Sequence, residues 1–292
     1  MEIINCVDLA KTVETSLSDT PQINEISFTI LYTTEAPATL SYINNKKKKA
    51  AQLGIKAVSI FVNEEELPKY VEALNVDPHC HGIIIQLPLM SKNQLEMIKL
   101  IDPKKDVDGL HPLNMGLLSY GDIKNCFIPC TALGCLHVIL KALDLKVEKV
   151  DSNIFDLAKK ALGGLSILIV GRSNIVGKPL SYLLTSCNAT VTLAHSYTKD
   201  LETLTKKADI VVLATGAPKY FTQRFFNQNS IVIDVGISYI DNKICGDADI
   251  ENLNVKAITP VPKGIGPMTV IYLLNNVVKA YKLQKNLGHN NQ

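Results

Sequence analysis

The sequence predicts an α/β fold with a mainly parallel sheet, continued in the second half of the chain as a doubly wound domain. Three observations carry this expectation. Short apolar runs of strand length alternate with longer polar, periodic stretches through both halves. One run, Ser166–Val170, is almost continuously apolar, as a strand covered on both faces must be. That run leads straight into a glycine-bearing loop and then a helical pattern.

In the first 120 residues Ile26–Leu31, Ala57–Val62 and Gly82–Gln86 read as strands, the last stopped by Pro88. Thr39–Leu53 reads as a helix ended by Gly54. A second series starts with Ser166–Val170 and continues through Thr190–Ala194, Asp209–Ala214 and Ser230–Val235. Asp144–Gly164 reads as a charged, partly helical connector without a clear core stripe. Met268–Leu283 has the spacing of an amphipathic helix, and Gly288–Gln292 is expected to fray. These elements place one domain at 1–122 plus 268–292 and the other at 123–267.

Composition narrows the function. The chain has 292 residues, 47% hydrophobic and 20% charged, with ample material for packed cores. A net charge of +2, from 30 basic against 28 acidic residues, speaks against a nucleic-acid partner. No apolar run reaches membrane-spanning length, so no membrane association is expected. The N-terminus has neither the pattern of a signal peptide nor that of a transit peptide, which points to the cytoplasm. Seven cysteines suit reduced thiols better than a disulfide framework. Cys126, Cys130, Cys135 and His137 crowd one stretch, but their spacing is looser than the paired C-x2-C of zinc sites. Buried thiols and no metal are the expectation there.

The loop Gly171-Arg172-Ser173-Asn174-Ile175-Val176-Gly177 sits between a strand and a helix. Glycines there let backbone N–H groups approach a pyrophosphate, and the helix N-terminus adds partial positive charge. An ordinary tight turn is the competing reading. The next strand ends in Ala194-His195-Ser196, where a carboxylate commonly binds the ribose 2′-hydroxyl of NAD. Arg172, His195 and Ser196 stand there instead, which suits the 2′-phosphate of NADP.

On the helix Thr39–Leu53, Tyr42, Ile43, Ala50 and Leu53 share one face. Lys46 falls inside that face, one turn after Tyr42; Lys48 points away, and Lys47 and Lys49 lie near its edges. An ammonium framed by apolar groups is partly desolvated and so suited to proton transfer. The alternative is a lysine that snorkels to solvent.

Further strings bear on that choice. They are Gln86-Leu87-Pro88-Leu89, Lys105-Asp106-Val107-Asp108-Gly109, Pro129-Cys130-Thr131, and Thr259-Pro260-Val261-Pro262 through Gly266-Pro267-Met268-Thr269. With the glycine loop, in this order and spacing, they closely resemble the methylenetetrahydrofolate dehydrogenase/cyclohydrolase family from about Ile26 to Lys282. The resemblance implies two α/β domains flanking a cleft, the second a Rossmann-like NADP-binding domain, in a homodimer. It implies oxidation of 5,10-methylenetetrahydrofolate and hydrolysis of the methenyl product to 10-formyltetrahydrofolate, within one-carbon metabolism and purine biosynthesis.

It also implies roles. Lys46 is the catalytic lysine, Tyr42 packs on the folate ring, Gln86 tunes the lysine, and Asp108 holds the pterin. Leu87, Pro88, Pro262, Gly264, Gly266, Pro267 and Thr269 line the folate site. Cofactor contacts fall to Thr131, Gly171, Arg172, Ser173, Ile175, Val176, Gly177, His195, Ser196, Thr215, Gly216, Gly236 and Ile237. The chain departs from the family pattern at Thr34, Thr39, Ala132 and Lys263, and in its long connector. Lys263 stands where the first of two glycines is usual, so it either meets the folate glutamate tail or is solvated. Three other readings remain: a dehydrogenase with weak or no cyclohydrolase activity, a silent binding protein, and an unrelated NADP dehydrogenase.

Overall fold

The computed structural model describes residues 1–90, 93–147, 153–241 and 243–289. In chain order the elements are β1 (Glu2–Ile3), α1 (Cys6–Ser18), β2 (Ser27–Tyr32), α2 (Pro37–Gln52), β3 (Lys56–Phe61) and α3 (Leu67–Val76). There follow β4 (Gly82–Ile85), α4 (Gln94–Ile98), α5 (Pro112–Ser119), α6 (Cys130–Ala142) and α7 (Asn153–Leu162). The second half holds β5 (Ser166–Val170), α8 (Gly177–Ser186), β6 (Thr190–Ala194), α9 (Leu201–Lys207), β7 (Ile210–Leu213) and β8 (Ile231–Asp234). Last come β9 (Ser238–Ile240), β10 (Lys243–Cys245), β11 (Ala257–Ile258) and α10 (Ile265–His289).

The chain divides into two compact units. One comprises Met1–Val13, Leu118–Lys124 and Thr131–Thr269; the other comprises Glu14–Leu117, Asn125–Cys130 and Val270–Gln292. The first unit is built on a parallel six-stranded sheet of order β1-β11-β8-β7-β5-β6. Its central strands β5, β7 and β8 are buried almost throughout, which is why they read as continuous apolar runs. The core on one face gathers Leu168, Val170, Val211, Leu213, Phe221, Phe225 and Val232.

The second unit has a parallel sheet of order β3-β2-β4. Central β2 is buried along Phe28–Leu31, whereas edge strand β3 is half-buried, and its Phe61 is 47% exposed. Leu31, Val62, Leu67, Val71, Ile83 and Ile85 form part of its core.

The expected strands and helices are present with ends shifted by a residue or a few. The units differ from the expected 1–122 plus 268–292 division. Met1–Val13 belong with the six-stranded sheet because β1 pairs with β11, Glu2 opposite Ala257 and Ile3 opposite Ile258. In the connector, residues 148–152 lie outside the described residues. From Asn153 the connector forms a regular helix, α7, with Ile154, Ala158 and Leu162 buried on one face. A core stripe is therefore present where none was clear from sequence. The expected frayed terminus lies outside the described residues from 290 onward, and α10 is described to His289. All seven cysteines are buried and free. Among the described residues no cluster of His, Cys, Asp and Glu could hold a metal. No described helix is long and apolar enough to cross a membrane.

Candidate active site

In the second unit Lys46 and Gln86 meet at the C-terminal ends of β2 and β4. Helix α2 starts with Pro37 in its first turn and ends in a left-handed Gly54, φ 80°. The Gly54 N–H returns to Ala51 O at 3.1 Å and that of Ile55 to Ala50 O at 3.0 Å, the paired closure of a glycine-capped helix. This fixes the helix rotation. Thr39, Ile43, Lys46 and Ala50 are buried, Tyr42, Lys47 and Lys49 half-buried, and Lys48 exposed.

Lys46 does not snorkel. Its side chain is among the buried polar groups at 9% exposure, and its ammonium donates to Gln86 Oε1 at 2.9 Å. Gln86 continues β4 by donating its N–H to Leu31 O at 2.8 Å. Its amide Nε2 donates to Leu87 O at 3.0 Å, which turns the carbonyl end of the amide toward the lysine. Gln86 and Leu87 are half-buried and Pro88 is exposed; the Leu87–Pro88 peptide is cis.

The Lys105–Gly109 string divides its labour. Lys105 donates to Leu74 O at 2.8 Å and Asp77 O at 2.7 Å, closing the end of α3. Asp106 is buried and accepts from the backbone of Leu110 (3.2 Å) and His111 (2.8 Å) and from Asn114 Nδ2 (2.8 Å). Burial raises its carboxyl above the usual aspartate range. Asp106 is thus structural, which leaves the half-buried Asp108 as the chemically available carboxylate. Gly109 has φ 76°, and a Cβ there would meet the backbone of Phe127–Pro129.

Two neighbours were not foreseen. Asn276, buried in α10, donates to Val107 O at 2.9 Å and Ile128 O at 3.0 Å, clamping together the two loop segments behind Asp108. Cys130 is buried with its thiol 3.4 Å from Val107 O. Burial first, then the charge of Asp108, raises its thiol well above the ordinary range, while Lys46 opposes the rise. A polar residue on an otherwise apolar helix face was the available signal for Asn276.

In the first unit the glycine loop is shaped by missing side chains. A Cβ on Gly171, φ 126°, would run into the Ala214 carbonyl, and one on Gly177 into the Gly171 carbonyl. Ser173 Oγ accepts from Val176 N–H at 3.1 Å. Helix α8 then starts at Gly177 with no side-chain cap, its Lys178 N–H returning to Ser173 O at 3.1 Å, and its N-terminal end suits an anion. Arg172, Ser173 and Ile175 are exposed, and the Arg172 guanidinium lies 5.9 Å from the ring centre of Tyr197. His195 is half-buried and accepts from Tyr197 N–H at 3.2 Å through Nδ1; Ser196 is exposed. This backbone cradle at parallel strand ends fits a dinucleotide, and the exposed Arg172 guanidinium near Tyr197 suits an added phosphate.

Thr215 and Gly216, exposed after β7, and Gly236 and Ile237, after β8, lie on the same sheet edge. Thr131 and Thr269, expected to meet different ligands, have their hydroxyls 3.2 Å apart. Pro262, Gly264, Gly266 and Pro267 also fall in this unit. Lys263 holds φ 76°, a conformation glycine takes without strain, and a Cβ on Gly264 would strike Pro260 O. Asp234 and Asp247 are buried here as well. Burial, with the like charge of Asp247 adding, pushes the Asp234 carboxyl up to about 7.

Known proteins resemble this chain in sequence and in fold. Residues 4–108 match the model of the tetrahydrofolate dehydrogenase/cyclohydrolase catalytic domain, and residues 129–285 that of the family's NAD(P)-binding domain. The bifunctional protein FolD of Rickettsia massiliae is 48% identical over 254 residues, 84% of this chain and 82% of that one. The crystal structure of the Campylobacter jejuni FolD methylenetetrahydrofolate dehydrogenase/cyclohydrolase superposes with a TM-score of 0.86 at 33% identity, covering 97% of this chain and 99% of that chain. The Trypanosoma brucei enzyme, solved with NADP and an inhibitor, gives 0.83 at 28% identity, covering 96% and 97%. With both domain models matched in order along a chain that carries the lysine helix and the glycine loop, this protein belongs to the tetrahydrofolate dehydrogenase/cyclohydrolase family.

Proposed function

We propose that this chain oxidises 5,10-methylenetetrahydrofolate to the methenyl form with NADP and hydrolyses that product to 10-formyltetrahydrofolate. The observation that carries the reading is the buried Lys46–Gln86 hydrogen bond of 2.9 Å. Hydrolysis adds water to the methenyl carbon, opens the ring at one C–N bond and releases a proton. It needs a base for the water and an acid for the departing nitrogen. Lys46 serves both. Its partner is a neutral amide, and the bond to Leu87 holds that amide in one orientation.

Asp108 accepts the paired N–H groups of the pterin edge, and Tyr42 packs on the ring. Leu87, Pro88 and the Pro262–Thr269 segment contribute the remaining folate contacts. NADP, when bound, supplies the hydride acceptor. Gly171, Ser173, Ile175, Val176 and Gly177 receive its pyrophosphate; Arg172, His195 and Ser196 receive the 2′-phosphate. Thr131, Thr215, Gly216, Gly236 and Ile237 take the remaining contacts. Oxidation asks these residues for alignment rather than acid–base help, because the substrate nitrogen's lone pair drives hydride departure.

We further propose a cytoplasmic homodimer. Free, buried cysteines suit a reducing compartment. The half-buried edge strand β3, with Phe61 exposed, offers a surface for a second copy, which light scattering tests. The activities are tested by supplying methylenetetrahydrofolate and NADP and following NADPH and the methenyl product separately. Equal NADPH formation with no methenyl build-up supports both steps. NADPH with stoichiometric methenyl accumulation leaves a dehydrogenase alone.

A further inference from the structure

Two buried carboxylates at the C-terminal edge of the six-stranded sheet take no part in the chemistry above. Asp234 ends β8 and Asp247 comes after β10; they are 3% and 0% exposed. One oxygen of Asp247, Oδ2, receives three donors: the Thr215 N–H at 2.7 Å, the Thr215 hydroxyl at 2.8 Å and the Gly216 N–H at 3.2 Å. Asp234 serves the next loop. Its Oδ1 accepts from the N–H of Gly236 at 2.9 Å and of Asp247 at 3.1 Å, and its Oδ2 from that of Ala248 at 2.8 Å. Asp234 thus holds Asp247, and each aspartate holds one of the loops after β7 and β8.

The packing allows no ready substitute. A side chain on Gly236 would overlap the Asp247 carboxylate, and one on Gly246 the Asp234 carboxylate. Burying an acid is costly, and Asp247 Oδ1 receives no hydrogen bond at all. A plain loop anchor would be met by a neutral side chain. Three donors on one charged oxygen give a stiffer anchor, because charge-assisted bonds are stronger than neutral ones.

The anchor has a directional consequence. The Ala214–Thr215 and Thr215–Gly216 peptides are not among the cis bonds of the chain. In a trans peptide the carbonyl points opposite to the N–H. With both N–H groups aimed inward at Asp247, the carbonyls of Ala214 and Thr215 aim away from it. The Ala214 carbonyl is the group that a Cβ on Gly171 would strike, so Asp247 also sets the wall against which the first glycine of the loop packs.

We propose that Asp247, held by Asp234, is a positioning residue for the dinucleotide. It orients the Ala214–Gly216 backbone so that its outward carbonyls and the adjoining Gly171 face the cofactor. This rests on the reading of the first unit as the NADP site. Because backbone shared by both dinucleotides is positioned, loss of the anchor weakens NAD and NADP by the same factor, unlike any change at Arg172.

The experiment is titration of NADP and NAD onto wild type, Asp247→Ala and Asp247→Asn, with folding followed by circular dichroism and thermal melting. Asparagine keeps one acceptor for the loop, so it is the variant that decides if the alanine protein does not fold. Asp247→Ala should raise both dissociation constants about tenfold or more, and Asp247→Asn about threefold or more. A folded Asp247→Ala, or failing that Asp247→Asn, that binds both dinucleotides as wild type does overturns the proposal, whatever its melting temperature. Weakening of NADP alone also overturns it. Wild type that binds neither dinucleotide removes the NADP-site reading, and this proposal with it.

Discussion

The glycine loop of the first unit and the lysine helix of the second do their work by opposite means. Gly171 and Gly177 matter for what they lack: each leaves a backbone carbonyl room that a Cβ would take. Lys46 and Gln86 matter for what they carry, a side-chain hydrogen bond of 2.9 Å on a rigid helix and strand end. A site made of backbone fails when almost anything is added to it. A site made of side chains loses its chemistry when one atom group is removed, while its scaffold persists. The glycine loop packs against Ala214 of a neighbouring loop that Asp247 holds through Thr215, whereas α2 is fixed by its own closure at Gly54.

Adding one methyl group is the harshest way to probe the contrast. Gly177→Ala places a Cβ against the Gly171 carbonyl. Relieving that overlap should cost on the order of 3 kcal/mol, about a hundredfold or more in NADP affinity. Calorimetric titration checks this, and a variant that binds NADP normally would show that the loop is not the cradle described.

Removing a side chain from the same loop should do less and do it selectively. Arg172 is exposed, and the role proposed for it is to choose between dinucleotides. Arg172→Ala should lose roughly 1.5–3 kcal/mol of NADP binding and little of NAD binding. Kinetics with both cofactors decide it; an unchanged NADP/NAD ratio removes the assignment.

A smaller, pH-dependent effect separates the buried groups of the first unit. The Asp234 carboxyl, raised by burial to about 7, takes a proton more readily in the fold than in the unfolded chain, where aspartate titrates near ~3.9. Its contribution to stability is therefore present at low pH and lost as pH rises from about 4 to about 7. His137 runs the other way. Burial lowers it to about 4, so the neutral ring is favoured in the fold, and stability is lost as pH falls from about 6.5 to about 4. Comparing Asp234→Asn with wild type cancels the histidine contribution. Urea unfolding should show the difference shifting toward the variant by on the order of 2 kcal/mol between pH 4 and pH 7. A difference that does not change with pH would contradict the raised carboxyl.

The two regions also differed in how well the sequence announced them. Ser166–Val170 and Thr190–Ala194 were legible to the residue, because strands carrying this much β-branched residue between turn signals leave a clear pattern. The two-residue strands β1 and β11 left none, since their place in the sheet is set by long-range pairing, and so the pairing of the first residues with β11 was not foreseen. Its face of α2 left Lys46 open between burial and snorkelling, and burial with the bond to Gln86 decides it. Gln86 has no period to betray it and was reached only through the family resemblance. Asp106 and Asp108 look alike in a turn-rich string, and only three donors around the first tell them apart. Asp234 and Asp247 were illegible, since nothing local distinguishes a buried loop aspartate from a solvated one.

The most direct test of the account is the rate at which Lys46→Met hydrolyses pre-formed methenyltetrahydrofolate, a substrate that bypasses hydride transfer. Methionine keeps most of the buried stem and removes the ammonium that meets Gln86. The account predicts a fall of about 10²–10⁴ in that rate, with NADP binding retained. A folded variant that hydrolyses methenyltetrahydrofolate as fast as wild type would contradict it.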